Sequence, residues 1–415
     1  MDRKRFLAAL GIVAFLLLAG AGLYFVFFRR APTPEEPTAP PANLVPINTP
    51  ALPPGASIRP PTPGTLLTPS APTNAPTPAP SPTTPPVTAQ GGRTQTTALS
   101  DTPTRFVRLA TDGRPQYYDP SSQQFYRIGP DGRPVPLSDR KFPAVRSVSW
   151  SPNDDRAILE FPDGANVLFD FRANTQVTLP THWEDFSFAP TGDRIAGKSV
   201  GLDRENRWLF EAGADGNNFR PIEPLGQNAR KVTVAWSPNN SVVAFSRTGN
   251  EIGDERQQII VVGRNGENFP GLTVEGSDFR PRWSPSGNHI LYSAVHRSND
   301  FKPELWVVGG SGDAIGSNRV RLHVNTWADK CTFGDETTLY CAVPKELPRG
   351  AGLEPSVTAG TPDTIERIDL TTGIQTTVGQ PAEDTNITQL SVAPDGSRLF
   401  YTSRIDGRLY ELRLR

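Results

Sequence analysis

The stretch WSPNDDRAILEF, residues 150–161, occurs three more times in the chain with the same order of residue types. The copies are FAPTGDRIAGKS from 188, WSPNNSVVAFSR from 236 and WSPSGNHILYSA from 283. Each copy begins with an aromatic residue, continues through Ser-Pro or Ala-Pro into small polar residues, and ends in an alternating strand. Because Pro presets φ and Asn, Asp or Gly tolerate the bend, each copy is predicted to be a hairpin turn. The serine of the motif is therefore assigned a structural role rather than a nucleophilic one.

Three weaker copies complete a series of seven units. They are LATDGRPQYYDP from 109, CTFGDETTLYCA from 331 and VAPDGSRLFYTS from 392. Successive copies are thus separated by 41, 38, 48, 47, 48 and 61 residues. This spacing is typical of four-stranded propeller blades. The sequence therefore predicts an all-β domain over residues 94–415, a seven-bladed β-propeller.

Closure of the ring can also be predicted. The last unit reaches Arg415 after its third strand, so its outer strand has to come from another part of the chain. TQTTALSDTPTRFVR at 94–108 resembles IQTTVGQPAEDTNITQ at 374–389, where an outer strand is expected. We therefore predict that residues 94–100 pair with the last blade and remove the open edges.

Two segments precede the propeller. Residues 6–28 carry no charge, are flanked by cations on both sides, and would span roughly 35 Å as a helix, enough to cross a bilayer. Residues 1–30 are therefore predicted to be a transmembrane anchor that leaves the propeller outside the cytoplasm, with a cleaved signal peptide as the alternative. Residues 31–93 hold 20 of the 44 prolines and are predicted to be a disordered linker.

The two cysteines of the chain, Cys331 and Cys341, flank the turn of one predicted hairpin. If that turn is centred on Glu336, the two Cβ atoms face each other at about the distance that a disulfide requires. A disulfide would suit an exported domain. Two buried free thiols are the alternative.

Neither the composition nor the motifs of the sequence indicate a catalytic or nucleic-acid-binding function. The net charge of −1 gives no reason to expect a nucleic-acid partner. G-x-S-x-G and H-E-x-x-H motifs are absent from the sequence. The histidines fall in different units, at His182, His289, His296 and His323. No catalytic residue, cofactor or metal site is therefore predicted, and the protein is expected not to be an enzyme.

Function is expected where the repeats become irregular. The loops between second and third strands are long in the third to sixth units, and in a propeller such loops emerge on one face. We predict that they form a charged rim that binds a partner, with Asp203, Arg204, Glu255, Arg256, Arg297, Lys302, Lys345 and Arg349 as its residues. These loops are expected to be solvent-exposed, so that shortening residues 345–361 would cost little stability.

A second candidate site follows from the residue before each aligned Trp position. That residue is small or basic in every unit, as expected of a row near a narrow axis. Arg108, Arg282 and Lys330 are its basic members and are predicted to form a cationic channel mouth. Such a mouth could attract an acidic peptide or an anionic glycan.

The Trp-Ser-Pro turn followed by an alternating strand resembles the repeats of TolB-type and WD-like propellers of bacterial envelope proteins, over about residues 94–415. This resemblance implies a ring that binds other macromolecules, or one that caps a hydrolase as in relatives of prolyl peptidases. Rings of the TolB type usually have six blades, so a six-bladed ring is the alternative to seven.

These observations lead to one functional hypothesis and one alternative. The hypothesis is a single-pass protein of the cell membrane whose extracytoplasmic propeller is a non-enzymatic scaffold for a protein partner in the cell envelope. The alternative is a propeller enzyme or lectin that acts on envelope glycans or peptides. A compact group of inward carboxylates would favour the enzyme.

Overall fold

The part of the chain that the structure, a computed structural model, describes is residues 84–153, 155–267 and 269–415. The predicted anchor and most of the predicted linker lie outside these residues. The described residues form seven antiparallel sheets arranged as the blades of a propeller. The seven-bladed prediction is therefore confirmed, and the six-bladed alternative is wrong.

Each blade consists of four strands in chain order from the inside outwards, with exceptions in blades 4, 6 and 7. Blade 1 contains Arg105–Leu109, Pro115–Asp119, Gln124–Ile128 and Pro134–Pro136. Blade 2 contains Ser147–Trp150, Arg156–Glu160, Asn166–Asp170 and Thr175–Leu179. Blade 3 contains Trp183–Phe188, Arg194–Val200, Arg207–Gly213 and Arg220–Pro224.

The remaining blades follow the same plan with additions. Blade 4 contains Val232–Val234, Val242–Ser246, a short extra strand Glu251–Gly253, Arg256–Gly263 and Leu272–Glu275. Blade 5 contains Ser277–Trp283, His289–Val295, Pro303–Gly309 and Val320–Arg321. Blade 6 contains Cys331–Phe333, Thr338–Pro344, Asp363–Asp369, Gln375–Pro381 and, at its outer edge, Arg93–Thr94. Blade 7 contains Ile387–Val392, Arg398–Ser403, Leu409–Arg413 and Thr96–Ala98.

Short 3-10 helices lie in the connections between these strands. They are Arg204–Asn206, Ala229–Lys231, Arg297–Asn299, Gly312–Ala314, Ala328–Lys330 and Pro355–Thr358. Three of them follow a second strand and three precede or follow an outer strand. Irregular structure is therefore concentrated in blades 3 to 6.

The apolar core is divided into clusters that lie between blades. The described residues form seven such clusters, one for each interface of the ring. The cluster between blades 7 and 1 contains Leu99, Val107, Phe400 and Leu409. Because both faces of a blade are covered, its second strand is mostly apolar, and Val242–Ser246 is buried throughout.

The repeated turns connect neighbouring blades as well as neighbouring strands. In blade 4 the hydroxyl of Ser237 accepts a hydrogen bond from the backbone N–H of Val242 at 2.9 Å, which closes the turn. The indole N–H of Trp283 donates to the backbone oxygen of Ala235 in the preceding blade at 3.1 Å. Trp150 donates in the same way to Phe106 at 2.9 Å. The prediction that the motif serine has a structural role in the turn is confirmed.

The ring is closed by the N-terminal strand. Thr96–Ala98 pairs antiparallel with Leu409–Arg413 as the outer strand of blade 7, which confirms the predicted closure. Residues before this strand are bound as well. Arg93–Thr94 pairs parallel with blade 6, and the N–H of Ala89 donates to the oxygen of Arg413 at 2.8 Å. Contacts with the propeller therefore begin within the segment that the sequence assigned to the linker.

The two cysteines lie opposite each other on the first two strands of blade 6. Cys331 pairs directly with Cys341, their Cα atoms are 4.0 Å apart, and a disulfide joins them. Both residues are fully buried in the cluster between blades 5 and 6. The bond therefore links two strands that are already neighbours in the sheet.

The closing strand should contribute measurably to stability. Leu99→Ala removes a buried side chain from the cluster between blades 7 and 1 and should lower the free energy of unfolding by about 2–5 kcal/mol. Thr97→Ala, at an exposed position in the strand that precedes Leu99, should change it by less than about 0.5 kcal/mol. Urea unfolding of the two variants measures the difference, and equal stabilities would contradict the role of this segment in closing the ring.

The disulfide gives a second expectation. Peptide mapping without reduction should find Cys331 joined to Cys341, with no thiol alkylated in denaturant. Replacing both residues by Ala should lower the free energy of unfolding by about 3 kcal/mol, the value expected for so short a loop. Quantitative alkylation of both cysteines before reduction would show the bond to be absent.

Candidate interaction site on the crossover face

The two faces of the ring carry different connections. We call the face that carries the loops between second and third strands and the links between blades the crossover face. The opposite face carries the Trp-Ser-Pro turns and the turns between third and outer strands, and we call it the turn face. In a propeller all connections of one kind emerge on the same face, so each predicted residue can be placed on one of them.

Seven of the eight residues of the predicted rim lie in crossover-face loops, and the eighth, Arg256, begins the third strand of blade 4 at the same face. Asp203 and Arg204 belong to blade 3, Glu255 and Arg256 to blade 4, Arg297 and Lys302 to blade 5, and Lys345 and Arg349 to blade 6. The structure links some of them. Glu255 lies 3.4 Å from Nε2 of His296 and 3.5 Å from Nε of Arg297, which connects the loops of blades 4 and 5. Nζ of Lys345 lies 3.6 Å from Asp384 in the link to blade 7.

Two clefts open between these loops. A cleft of about 650 Å³ between blades 4 and 5 is lined by Lys231, Arg247, Glu251, Glu255 and Arg256 among others. A second cleft, of about 440 Å³, lies between blades 5 and 6 and is lined by Lys302, His323, Lys345 and Glu366 among others. Both linings mix cations with carboxylates. The crossover face therefore offers charged recesses of mixed sign rather than a surface of one charge.

The long loop of blade 6 is not a free surface loop. Its Gly350 and Gly352 donate backbone hydrogen bonds of 2.8 Å to Asp300 and Phe301 in blade 5. A Cβ on Gly352 would lie 2.5 Å from the side chain of Val295, so the contact is close. The side-chain amide of buried Asn386 donates to the loop oxygens of Thr358 and Thr361. The expectation that residues 345–361 form a free, solvent-exposed loop is therefore wrong, and shortening this loop is now expected to lower stability because those contacts would be lost.

Apolar side chains are exposed at the tips of four crossover-face loops, and the sequence reasoning missed them. Leu202 in blade 3 is 98% exposed, and Ile405 in blade 7 is 71% exposed. Ile252 in blade 4 and Leu353 in blade 6 are also exposed. A single apolar residue in a polar loop is weak evidence for a binding surface when only the sequence is known. Their repetition on one face is visible once the loops are placed.

The predicted channel mouth is only partly assembled. Arg108 and Arg282 belong to inner strands, near the turn-face end of the channel. The guanidinium of Arg108 lies 5.4 Å from the ring of Trp150 and donates to the backbone oxygen of Ser151. Arg282 is partly exposed, and the surrounding protein lowers its pKa. Both arginines therefore lie at the turn-face end of the channel, away from the crossover-face rim.

Lys330 does not belong to this row, which corrects the sequence prediction. In blade 5, Trp283 pairs with Ile290 across the turn. In blade 6, the turn is one residue shorter, and the equivalent pair is Phe333 with Leu339. The residue before the Trp position in blade 6 is therefore Thr332. Lys330 lies in the short helix before the strand.

The side chain of Lys330 is buried in an ion pair. Its Nζ lies 2.7 and 2.8 Å from the two carboxylate oxygens of Asp363, which is fully buried. Asp363 also accepts a hydrogen bond from the backbone N–H of Ile387 in blade 7. Burial lowers the pKa of Lys330 and raises the pKa of Asp363, while their mutual attraction opposes both shifts. Lys330 therefore balances the charge of the carboxylate that ties blade 6 to blade 7, and it is not available to a ligand.

Other charges near the crossover end of the channel are paired with each other. Arg280 binds Asp278 at 2.9 Å and Asp329 at 2.8 Å. Burial raises the pKa of Asp278 against the opposing effect of Arg280, and Asp329 adds to the rise. The two carboxylates thus share one arginine.

The described residues contain no group of three or more His, Cys, Asp or Glu side chains that could hold a metal ion. Over the same residues, no helix has both the length and the apolar character needed to cross a membrane.

Comparison with known proteins identifies the fold. No family model matches the chain, and no curated protein matches it. The solved structures that it resembles include oligogalacturonate lyase in complex with manganese, at 13% identity and a TM-score of 0.53 over 77% of this chain and 93% of that one. Oligogalacturonate lyase from Vibrio parahaemolyticus is similar at 10% identity, with a TM-score of 0.55 and the same two coverages of 77% and 93%.

A third similar structure is the β-propeller domain of Cps50 (Swd1) from Myceliophteria thermophila. It has 10% identity and a TM-score of 0.52, over 76% of this chain and 97% of that one. Identities this low support the propeller fold and nothing finer. Two of the three are lyases by name and the third is described as a propeller domain, so the similarity does not separate an enzyme from a binding protein.

The buried ion pair can be tested against the channel-mouth role. Lys330→Met leaves Asp363 buried without a cation and should lower the free energy of unfolding by about 3–5 kcal/mol. The double variant with Asp363→Leu should recover part of that loss. Arg349→Met, at an exposed position, serves as the control. Urea unfolding measures the stability of all three variants. If the Lys330→Met protein is as stable as the control, Lys330 is again a candidate for ligand binding.

Proposed function

We propose that this protein is a non-enzymatic scaffold whose propeller holds a protein partner on its crossover face. The observation that supports this is the exposure of apolar side chains at the tips of loops in blades 3, 4, 6 and 7, at Leu202, Ile252, Leu353 and Ile405. Exposed apolar residues set among charged ones are typical of protein-binding surfaces.

The arrangement of charges is consistent with this proposal. The exposed rim carries arginines, such as Arg204 and Arg349, close in sequence to the exposed Leu202 and Leu353. Arg is enriched in protein interfaces because its planar guanidinium forms several hydrogen bonds at once. The contacts of the blade 6 loop with blade 5 also favour binding, because a loop held in place loses less entropy when a partner docks.

We further propose that residues 6–28 anchor the chain in a cell membrane, that residues 31 onwards act as a tether, and that the propeller works outside the cytoplasm in the cell envelope. The uncharged run of residues 6–28 and the proline content of the following segment support this part of the proposal. The disulfide between Cys331 and Cys341 is compatible with an oxidising compartment. The resemblance of the Trp-Ser-Pro repeats to those of TolB-type propellers is a further reason to propose this location.

An enzyme or lectin that acts on envelope glycans or peptides is the second candidate. It is favoured by one observation, the group of Asp278, Arg280 and Asp329 near the crossover end of the channel, where burial raises the pKa of Asp278. A carboxylate with a raised pKa is a candidate proton donor. In this structure both carboxylates bind the same arginine, as a structural ion-pair network would.

The proposal is tested by comparing the two faces in the full chain within native membranes. Leu202→Asp combined with Leu353→Asp should reduce photocrosslinking to the partner by about 30-fold, which corresponds to about 2 kcal/mol of lost contact. Ile374→Asp changes an equally exposed apolar residue on the turn face and should leave the crosslink unchanged.

The melting temperatures of all variants should stay close to that of the unmodified chain, because every substituted residue is exposed. Capture that persists in the Leu202 and Leu353 variant, or that is lost in the Ile374 variant, would exclude the crossover face as the binding surface. If the protein cleaves a glycan and Asp278→Asn abolishes that cleavage, the enzymatic function is correct and the scaffold function is not.

A further inference from the structure

The residue directly before the aligned Trp position in each blade forms a row around the channel, near its turn-face end. We call these seven residues the channel row. In blades 2 and 3 the row residue bonds the following blade. The hydroxyl of Ser149 donates to the backbone oxygen of Phe186 at 2.7 Å, and that of Ser187 accepts from the N–H of Trp236 at 3.0 Å. Arg108 in blade 1 donates to blade 2 in the same way. These side chains are therefore used in contacts between blades.

The row residues of blades 5 to 7 are different. They are Arg282, Thr332 and Ser391, and all three are partly exposed. Within the described part of the chain, none of their side chains forms a hydrogen bond, and no carboxylate forms an ion pair with Arg282. Three polar side chains in consecutive blades therefore lie beside the channel without a protein partner.

Arg282 has the most unfavourable environment of the three. Its Nη1 is enclosed by protein and has no hydrogen-bond partner among the described residues. The adjacent Trp283 donates to blade 4, and side chains alternate along a strand, so Arg282 points towards blade 6. Burial lowers the pKa of Arg282, and Asp329, which opposes this shift, already binds Arg280 at 2.8 Å. A buried cation without a partner costs free energy, and it is expected where a ligand supplies the anion.

An apolar recess of about 490 Å³ opens at the turn-face end of the same channel. Ser149 and Ser187 of the channel row line it, which places it at the level of Arg282. All its other lining residues are aromatic or proline, among them Trp150, Trp236 and Pro285. The turn-face opening therefore has an apolar side in blades 2 to 5 and a polar, cationic side in blades 5 to 7.

This combination favours a peptide that carries a carboxylate. A guanidinium binds a carboxylate through two parallel hydrogen bonds, and neighbouring hydroxyls can donate to the same kind of anion. The recess suits a carbohydrate less well, because the hydroxyls of Ser149 and Ser187 are already bonded and buried sugar hydroxyls need partners. A peptide brings a carboxylate and an apolar side chain together.

We propose that Arg282, with the hydroxyls of Thr332 and Ser391, is a carboxylate-binding site in the channel, which a peptide segment of a partner protein enters through the turn-face opening. The carboxylate belongs to a chain end or to an acidic side chain. The apolar residue beside it occupies the recess. The site lies away from the crossover-face rim and does not rest on the function proposed for that face.

The first experiment tests the anion site itself, in the full chain in detergent, with sodium acetate as the probe. Relative to sodium chloride at the same concentration of about 0.2 M, acetate should raise the melting temperature by about 3 °C, because it binds only the folded protein. Arg282→Gln should abolish this difference. Arg133→Gln, which removes an exposed arginine of the turn face, should retain it.

The same melting curves separate a ligand-binding role from a structural one. In chloride, Arg282→Gln should melt no lower than the unmodified chain, because no bond is lost and a buried charge is removed. A large loss of stability in chloride, or an acetate effect that is equal in all three proteins, would overturn the proposal.

The second experiment identifies the source of the carboxylate. The immobilised full chain is offered three pools of random hexapeptides: one with a free C-terminal carboxylate and no acidic residue, one amidated with a single glutamate, and one amidated without acidic residues. Mass spectrometry should find one of the first two pools enriched at least tenfold over the third, with apolar residues beside the carboxylate. Arg282→Gln should abolish this enrichment, whereas Arg133→Gln should not.

The remaining outcomes of the second experiment contradict the proposal. They are the absence of enrichment in both carboxylate-bearing pools, equal enrichment of the acid-free pool, and enrichment that Arg282→Gln leaves unchanged. If an oligouronate binds in a manner that requires Arg282 while no peptide is enriched, the site takes a glycan instead of a peptide.

Discussion

Each blade of this protein has two apolar faces, and both must be covered by a neighbour. This constraint is what the rest of the structure depends on, since a row of blades would leave one uncovered face at each end and only a ring leaves none. The described core accordingly consists of one cluster at every blade interface. Trp150 and Trp283 reinforce the same contacts, because their indole N–H groups donate to backbone oxygens of the preceding blade. Closure by Thr96–Ala98 then joins the two ends of the ring through a regular strand pair.

Charged residues divide into those that hold the ring and those that face solvent. Lys330 with Asp363 joins blades 6 and 7, and Glu211 binds arginines of blades 3 and 4. Buried pairs of this kind cost much to break, because the remaining charge stays buried without a partner. The rim arginines Arg204 and Arg349 are exposed rather than buried in an ion pair, so they can contact a partner. The two groups cannot be separated by residue type, because charged residues of the same types occur in both.

Departures from the repeat are concentrated in blades 3 to 6, and the two clefts of the crossover face lie there. Blade 6 carries the longest loop between second and third strands, which is packed against blade 5. Blade 4 carries an extra short strand and a shifted outer strand. A regular blade leaves its neighbours little room for a ligand, because its strands fill the interface. Irregular blades leave clefts, and the clefts of this ring adjoin residues 247–257, 260–263 and 343–347.

The architecture of this protein could be predicted from its sequence. The seven turns, the alternating strands that follow them and the displaced strand at 94–100 are local patterns, and a turn depends on the chemistry of a few adjacent residues. The loops of the rim were placed correctly for the same reason, because strand order decides the face on which each loop emerges.

Only the tertiary structure decided the position of individual side chains. Lys330 does not belong to the channel row because the turn of blade 6 is one residue shorter, and such a shift changes which residue occupies each position of the strand. The loop at 345–361 is packed because of contacts with blade 5, which no local pattern in the loop indicates. These outcomes depend on residues far apart in the chain that meet only when the ring closes.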